Sequence, residues 1–235
     1  MTLYIVGAGG FGRETYDAVL AARDHADRGA ERDHEGRGYD RGHAAPVVFC
    51  DHSRAGERIR GLPVIHPDDA DPDSDPADDT GAGFVVAIAD PAVRMRLSAE
   101  FAARGFTPRT VVHPRAVIGP ETTVGAGSVI LALAHVSSSC VLGRHTQVNY
   151  TASVGHDAAL EDFATVFPGA NVAGAVRLGK GVTIGSNACV LQGLEVGSGA
   201  YVGAGAVVTR SVTAGTTVVG VPARPLTRSA AAPPG

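Results

Sequence analysis

Three groups of residues in this chain have the types and spacings that chemistry uses. His156 is followed at once by a carboxylate, Asp157, in the stretch Ser153-Val-Gly-His-Asp-Ala158. An ordinary imidazole titrates near 6.5, which suits a proton acceptor at neutral pH. Gly7-x-Gly9-x-x-Gly12 has the spacing of a turn that lets a phosphate approach a helix N-terminus, with Asp51 further along as a carboxylate able to hold a ribose. His113, His135 and His145 stand ahead of His156 as possible zinc ligands, but the gaps of 9, 10 and 11 residues around His145 and its neighbours leave no close pair. Two other groups carry less. An EF-hand started at Asp71, Asp73 and Asp75 has Pro76 at its sixth position and Ala82 at its twelfth, so it fails. Cys50, Cys140 and Cys189 are too few and too scattered for a disulfide framework or a zinc ribbon; Cys140 reads as core and Cys189 as a surface or turn thiol.

The element that must position His156 is a repeat. Aliphatics stand six residues apart, without interruption, at seventeen positions from Val112 through Ile118, Val124 and Ile130 to Val202 and Val208. The residue four after each is small or apolar, from Ala116 to Val212, and a Gly often follows the aliphatic, as at Gly119, Gly125, Gly143 and Gly155. A period of six fits neither an α-helix nor a coiled coil. It fits a solenoid of short strands with a turn every six residues, where Gly, Asn or Asp supplies positive φ. Three units make an 18-residue triangular coil, and coils stack at the strand spacing of about 4.8 Å. The narrow axis explains a composition of 31 Gly, 7 Phe, 5 Tyr and no Trp in 235 residues. His156 lies two residues after an inward aliphatic, Val154, and so points outward at a corner, where an ordinary surface histidine would also stand.

The first hundred residues read differently. Leu3-Tyr-Ile-Val6 is a buried strand that enters the Gly-rich turn and then a helix over 13–22. Val47-Val-Phe-Cys50 and Phe84-Val-Val-Ala-Ile88 are further strands, 61–65 an edge strand, and Asp90-Pro91 caps a helix running to about Arg104. Alternating strands and helices predict a small parallel α/β domain. Asp51 lies 39 residues past Gly12 rather than the about 20 of a dinucleotide fold. The strands number about four, so a mononucleotide or nucleotide sugar suits the turn better than NAD. Residues 24–45 and the Asp-rich 67–83 read as solvated loops, and 227–235 as a disordered tail. The net charge of −4 argues against nucleic acid. No apolar run is long enough for a membrane span, and the N-terminus lacks a signal-peptide pattern, so a cytoplasmic protein is expected.

The repeat, followed by Val207-Val-Thr-Arg-Ser-Val212 and Val219-Gly-Val-Pro-Ala-Arg224, resembles the hexapeptide-repeat acyltransferases. With the Gly-rich α/β unit in front, residues 3–225 resemble the bacterial sialic-acid O-acetyltransferase and nucleotide-amino-sugar N-acetyltransferase family. The resemblance implies an α/β N-terminal Rossmann-like half-domain (1–108) followed by a left-handed parallel β-helix (109–226), working as a homotrimer. It implies acetyl-CoA as co-substrate, no metal, and transfer of acetyl to the amine or hydroxyl of a small, nucleotide-linked sugar.

Acyl transfer needs a base, an oxyanion donor and a groove for the thioester. The resemblance makes His156 the base. The 18-residue coil places Gly174 directly above it, where a backbone N–H can face the acetyl carbonyl. Asp157 then orients the imidazole, although many relatives carry Glu there and a turn residue is the alternative. Thr165 stands where some relatives have a second His that contacts acetyl-CoA. Ser186 and Ala204 match positions that meet the coenzyme A arm, at a corner column shared with Pro168. Gly10, Phe11 and Gly12 line the sugar nucleotide, with Asp51 and His52 near its base or ribose. Two other classes stay open: a non-catalytic trimeric binding scaffold and a zinc-dependent lyase of carbonic-anhydrase type.

Overall fold

The computed structural model describes residues 2–27, 46–74 and 82–226. At the N-terminus a six-stranded sheet has the order β3-β4-β2-β1-β5-β6, with β1 (Leu3–Val6), β2 (Val47–Cys50), β3 (Arg58–Ile59), β4 (Leu62–Ile65), β5 (Gly83–Val86) and β6 (Thr107–Pro108). All pairings are parallel except β3 with β4. The side chains of β1 alternate between two cores, as strand geometry requires. Leu3 and Ile5 pack with Phe49 and Val85 under Ala18 and Val19 of helix α1 (Gly10–Asp27); Tyr4 and Val6 pack with Phe84 under Leu97 and Phe101 of helix α2 (Pro91–Ala103). Asp90 caps α2 as expected, its Oδ1 accepting from the Val93 N–H at 2.9 Å.

Several boundaries differ from expectation. Helix α1 starts three residues early and continues through 24–27, the start of the expected loop. Residues 24–26 are exposed, so this turn carries no apolar periodicity. Strands β3 and β6 are two residues long, too short for a period to show. Residues 67–69 form a 3-10 turn. Residues 28–45, 75–81 and 227–235, which hold most of the expected loops and the tail, lie outside the described residues.

From Val111 onward the chain is a parallel β-solenoid with three faces. The first carries Val111–Val112, Val129–Ile130, Gln147–Val148, Thr165–Val166, Thr183–Ile184 and Tyr201–Val202; the second Val117–Ile118 to Val207–Val208; the third Thr123–Val124 to Glu195–Val196. Strands 18 residues apart pair in register, as Ser153 with Asn171 and Val154 with Val172. The predicted inward aliphatics from Ile130 to Val208 are buried with the small residues between them. Where a small position is polar it is satisfied along the axis: the Ser128 and Thr146 hydroxyls meet at 3.0 Å.

The corners work differently from the expectation. Positive φ falls three residues after the aliphatic, as at Glu121, Ser139, Asp157 and Asn187. The glycines that follow the aliphatic are not in that region. They are needed because coils touch there: a Cβ on Gly155 would lie 2.5 Å from the Gly174 nitrogen, and one on Gly185 would lie 2.6 Å from the Ala204 nitrogen. The repeat also ends early. Val212, read as a small position, instead bridges Val196, two residues short of the 18-residue register.

The N-terminal sheet sits on the first face. Val111, Val129 and Leu131 join the α1 core. Higher up, the outward Gln147 and Thr165 are buried beneath α2 by Arg94, which is 0 % exposed. Its guanidinium donates to six acceptors, all neutral: the carbonyls of Ile88 (2.7 Å), Ala89 (2.9 Å), His145 (3.0 Å) and Phe163 (2.6 Å), Gln147 Oε1 (3.1 Å) and Thr165 Oγ1 (2.7 Å). Gln147 Nε2 in turn donates to the Val86 and Ile88 carbonyls. Burial lowers the Arg94 pKa to about 10, which leaves the cation intact at neutral pH. His145 is buried beside it, stacked on Phe163 at 5.0 Å.

Two predictions follow from this junction. Arg94→Met strips several buried carbonyls of their donor, at about 1–3 kcal/mol each. It is expected to destabilise the fold by about 3 kcal/mol or more, read as a drop in the urea midpoint. His145 has its pKa lowered to about 4 by burial, then by the Arg144 and Arg94 charges. The unfolded chain therefore binds the proton first, and stability present above about 6.5 is lost as pH falls toward 4. One such proton gives a slope of at most about 1.4 kcal/mol per pH unit. The urea midpoint of His145→Asn should be less sensitive to lowering the pH from 7.5 to 5 than that of the parent.

Candidate active site

His156 occupies the corner between the second-face strand Ser153–Val154 and the third-face strand Ala159–Leu160. Its side chain is 56 % exposed, and Nδ1 lies 2.7 Å from Asp157 Oδ2. An ionised carboxylate only accepts, so Nδ1 carries the proton and Nε2 keeps its lone pair. Asp157 has φ +58°. The two readings of this residue are therefore both met: it makes the left-handed turn, and that turn brings its short side chain back onto the preceding imidazole.

Gly174 stands one coil above. A Cβ there would lie 2.7 Å from His156 Nε2 and 2.8 Å from Cε1, so the ring rests against bare backbone. The coil is locked around it: Ala175 N–H donates to the His156 carbonyl at 2.7 Å, and Gly193 N–H to the Gly174 carbonyl at 3.0 Å. The Gly174 N–H itself donates to no group among the described residues, and Gly155 below clears its face. A lone pair at Nε2 and a free N–H one coil away are the two groups that acyl transfer asks for.

The Gly-rich turn lies elsewhere, at the C-terminal ends of the parallel strands. Gly7 has φ +106°, and a Cβ on Gly12 would collide with the Gly7 carbonyl, so glycine is required at both. The first-turn N–H groups at Gly10, Phe11 and Gly12 have no acceptor within α1. Asp51 anchors the turn, with Oδ2 accepting from Ala8 N–H at 2.9 Å and Oδ1 from the N–H and hydroxyl of Ser53. Burial works to raise its pKa, but these hydrogen bonds hold it below the ordinary value. Arg54, which the sequence did not mark, grips the other side by donating to the Ala8 carbonyl at 2.7 Å. His52 follows Asp51 and is exposed at the same edge.

Thr165 is the correction. It was expected to meet acetyl-CoA, but it is fully buried, accepts from Arg94 and lies 3.4 Å from the Ala89 carbonyl. The docked N-terminal sheet covers it. Ser186 and Ala204 stack at the corner between the first and second faces, half-buried and exposed. They do not share the His156 corner, and no hydrogen bond among the described residues joins either site to the Gly-rich turn. The remaining histidines are dispersed: His135 is exposed on the second face, His145 is buried, and His113 accepts from Arg115 N–H. Among the described residues no group of three or more His, Cys, Asp or Glu is placed to hold a metal ion. No described helix is long and apolar enough to cross a membrane. Arg94 was missed although it lies three and seven residues before the core Leu97 and Phe101, the spacing of one helical face.

Residues 175–210 match the bacterial transferase hexapeptide (six repeats) family. Over 235 aligned residues the chain is 34% identical to GDP-perosamine N-acetyltransferase of Escherichia coli O157:H7, covering 97% of this chain and 98% of that one. The chain belongs to the hexapeptide-repeat nucleotide-amino-sugar N-acetyltransferases. The acetyltransferase domain of PglB from Neisseria gonorrhoeae FA1090, solved with acetyl coenzyme A, superposes with a TM-score of 0.79 at 32% identity, over 96% of this chain and 98% of that one. PerB from Caulobacter crescentus, solved with CoA and GDP-perosamine, gives 0.78 at 25% identity, over 97% and 98%.

For this N-acetyltransferase the Gly174 contact is directly testable. In Gly174→Ala the new methyl must push the exposed His156 ring aside, because the ring moves more easily than the coil. The expected outcome is an unchanged melting temperature with kcat lower by about 100-fold, the scale of losing an aligned catalytic group. Paired thermal melts and thiol-release kinetics measure both.

Proposed function

We propose that the chain transfers acetyl from acetyl-CoA to the amine of a nucleotide-linked amino sugar, with His156 as general base. The observation that carries this reading is the His156 Nε2 lone pair resting against Gly174 while Asp157 holds Nδ1 at 2.7 Å. The sugar amine attacks the thioester carbonyl and gives its proton to His156 Nε2. The Gly174 N–H steadies the oxyanion. Collapse breaks the C–S bond, and the thiolate of coenzyme A takes the proton from the imidazolium. Asp157 supports the charged ring in between.

Residues 1–108 hold the nucleotide end, at Gly10, Phe11, Gly12, Asp51 and His52, and residues 109–226 carry the acyl transfer. The relatives named for GDP-perosamine support a GDP-linked amino sugar as the first substrate to try. A left-handed coil and a homotrimer follow from family membership. A trimer also answers a geometric need: the N-terminal domain covers the first face, while His156 looks out between the second and third. A neighbouring copy brings its sugar-holding edge and its Ser186–Ala204 corner to that base. Val117 and Val141, 52 % and 55 % exposed on the second and third faces, supply apolar contact.

The test is a panel of GDP-, UDP- and dTDP-linked amino sugars incubated with acetyl-CoA. Thiol release and a mass gain of one acetyl group on the sugar are followed. At least one member should turn over, and His156→Ala should keep the trimer mass by light scattering while losing about 100- to 10,000-fold in kcat. Near-native turnover by His156→Ala removes it as the base, and no turnover with any amino sugar removes the reading.

A further inference from the structure

Beside the Gly-rich turn lies a pair of histidines whose arrangement the mechanism does not use. Strands β4, β2 and β1 are adjacent and parallel, so the Gly7–Gly12 turn, Asp51-His52 and His66 emerge at one edge. Asp51 N–H donates to the Ile65 carbonyl at 3.0 Å, and one residue further each strand presents a histidine. His52 Nδ1 and His66 Nε2 are 2.8 Å apart, with the rings edge to face at 81°.

The tautomers of this pair follow from the backbone. His66 caps the turn at 67–69, its Nδ1 accepting from the Asp68 N–H at 3.3 Å. An Nδ1 that accepts places the proton of neutral His66 on Nε2, which therefore donates to His52 Nδ1. His52 then carries its own proton on Nε2, on the side away from His66. If His66 binds a second proton, that proton sits on Nδ1, where Asp68 Oδ2 is 3.4 Å away, and Nε2–H still faces His52. Both states of His66 leave the same His52 tautomer. A lone exposed imidazole has no such constraint and can offer either a donor or an acceptor.

We propose that His66 is a positioning residue that locks His52 as an N–H donor, so that the N-terminal domain selects a keto base over an amino base in the sugar nucleotide. This rests on the reading that the nucleotide's base lies beside Asp51 and His52. A fixed donor complements a carbonyl such as guanine O6 and meets another donor in the adenine amino group. Uracil and cytosine differ in the same way. A site built around one hydrogen bond rejects the analogue that leaves it unpaired.

The experiment compares GDP with ADP, and UDP with CDP, by calorimetry on the full chain, so that ring size is constant within each pair. Wild type should bind the keto member of each pair at least about 10-fold more tightly, and His66→Ala should bring the ratio close to one. His66→Gln, whose amide N–H can reach His52 Nδ1, should restore it. Acetyl-CoA binding should be equal in all three proteins. The ¹⁵N spectrum of His52 gives an independent readout: Nε2 protonated in wild type, and a tautomer mixture in His66→Ala. A ratio unchanged by His66→Ala, or a wild-type His52 protonated at Nδ1, overturns the proposal while the acetyltransferase reading stands. A wild-type chain that binds none of the four nucleotides overturns both.

Discussion

The contact between successive coils governs the rest of this molecule. Parallel strands stack at about 4.8 Å, and at the corners the backbone of one coil nearly touches the next. A Cβ on Gly119, Gly155, Gly179 or Gly185 would lie 2.5–2.6 Å from a main-chain nitrogen above it. That closeness demands glycine at those corners and leaves an axis wide enough for one aliphatic and one small residue per side. It also gives every residue a neighbour 18 positions away. His156 and Gly174 are one such pair, and their chemistry is available because a glycine leaves backbone exposed to an imidazole.

The second constraint is the docking of the N-terminal sheet on one face of three. Arg94 holds that junction, and its acceptors are carbonyls from α2's own approach segment and from two neighbouring coils. A cation among neutral dipoles is worth keeping only if every donor is used, and here each guanidinium nitrogen is. The junction decides what remains accessible. Gln147, Thr165 and Thr183 on the first face are buried, whereas His135, Asn171 and Arg177 on the other two are exposed. The same seating places the nucleotide-holding edge on a different side from the base, so one chain carries two halves of a site that face apart.

Much of this was legible in the residues. The six-residue period named the solenoid, the sum of three periods placed Gly174 over His156, and Asp90-Pro91 announced the start of α2. The glycine argument was legible only in part. Gly was assigned to the turns for its positive φ, but those angles belong to Glu121, Asp157 and other non-glycine residues as well, and several glycines serve close approach instead. Thr165 was misplaced because its periodic position says only that it points outward. Whether outward means solvent or another domain depends on what is docked there. His66 carried no pattern of its own, since its partner His52 lies on a strand 14 residues earlier in the chain.

The sequence by itself determined the coil, its pitch, its inward residues and the pairing of a histidine with the glycine above it. All of these are consequences of local spacing, and a repeat translates spacing into position without further information. Only the tertiary structure decided which face is covered, that Arg94 is buried, that Asp51 anchors the turn through Ala8, and which nitrogen of each site histidine carries the proton. Those features arise from contacts between segments 14 to 71 residues apart. Such contacts depend on how two separately folded surfaces meet, and no period along the chain encodes that.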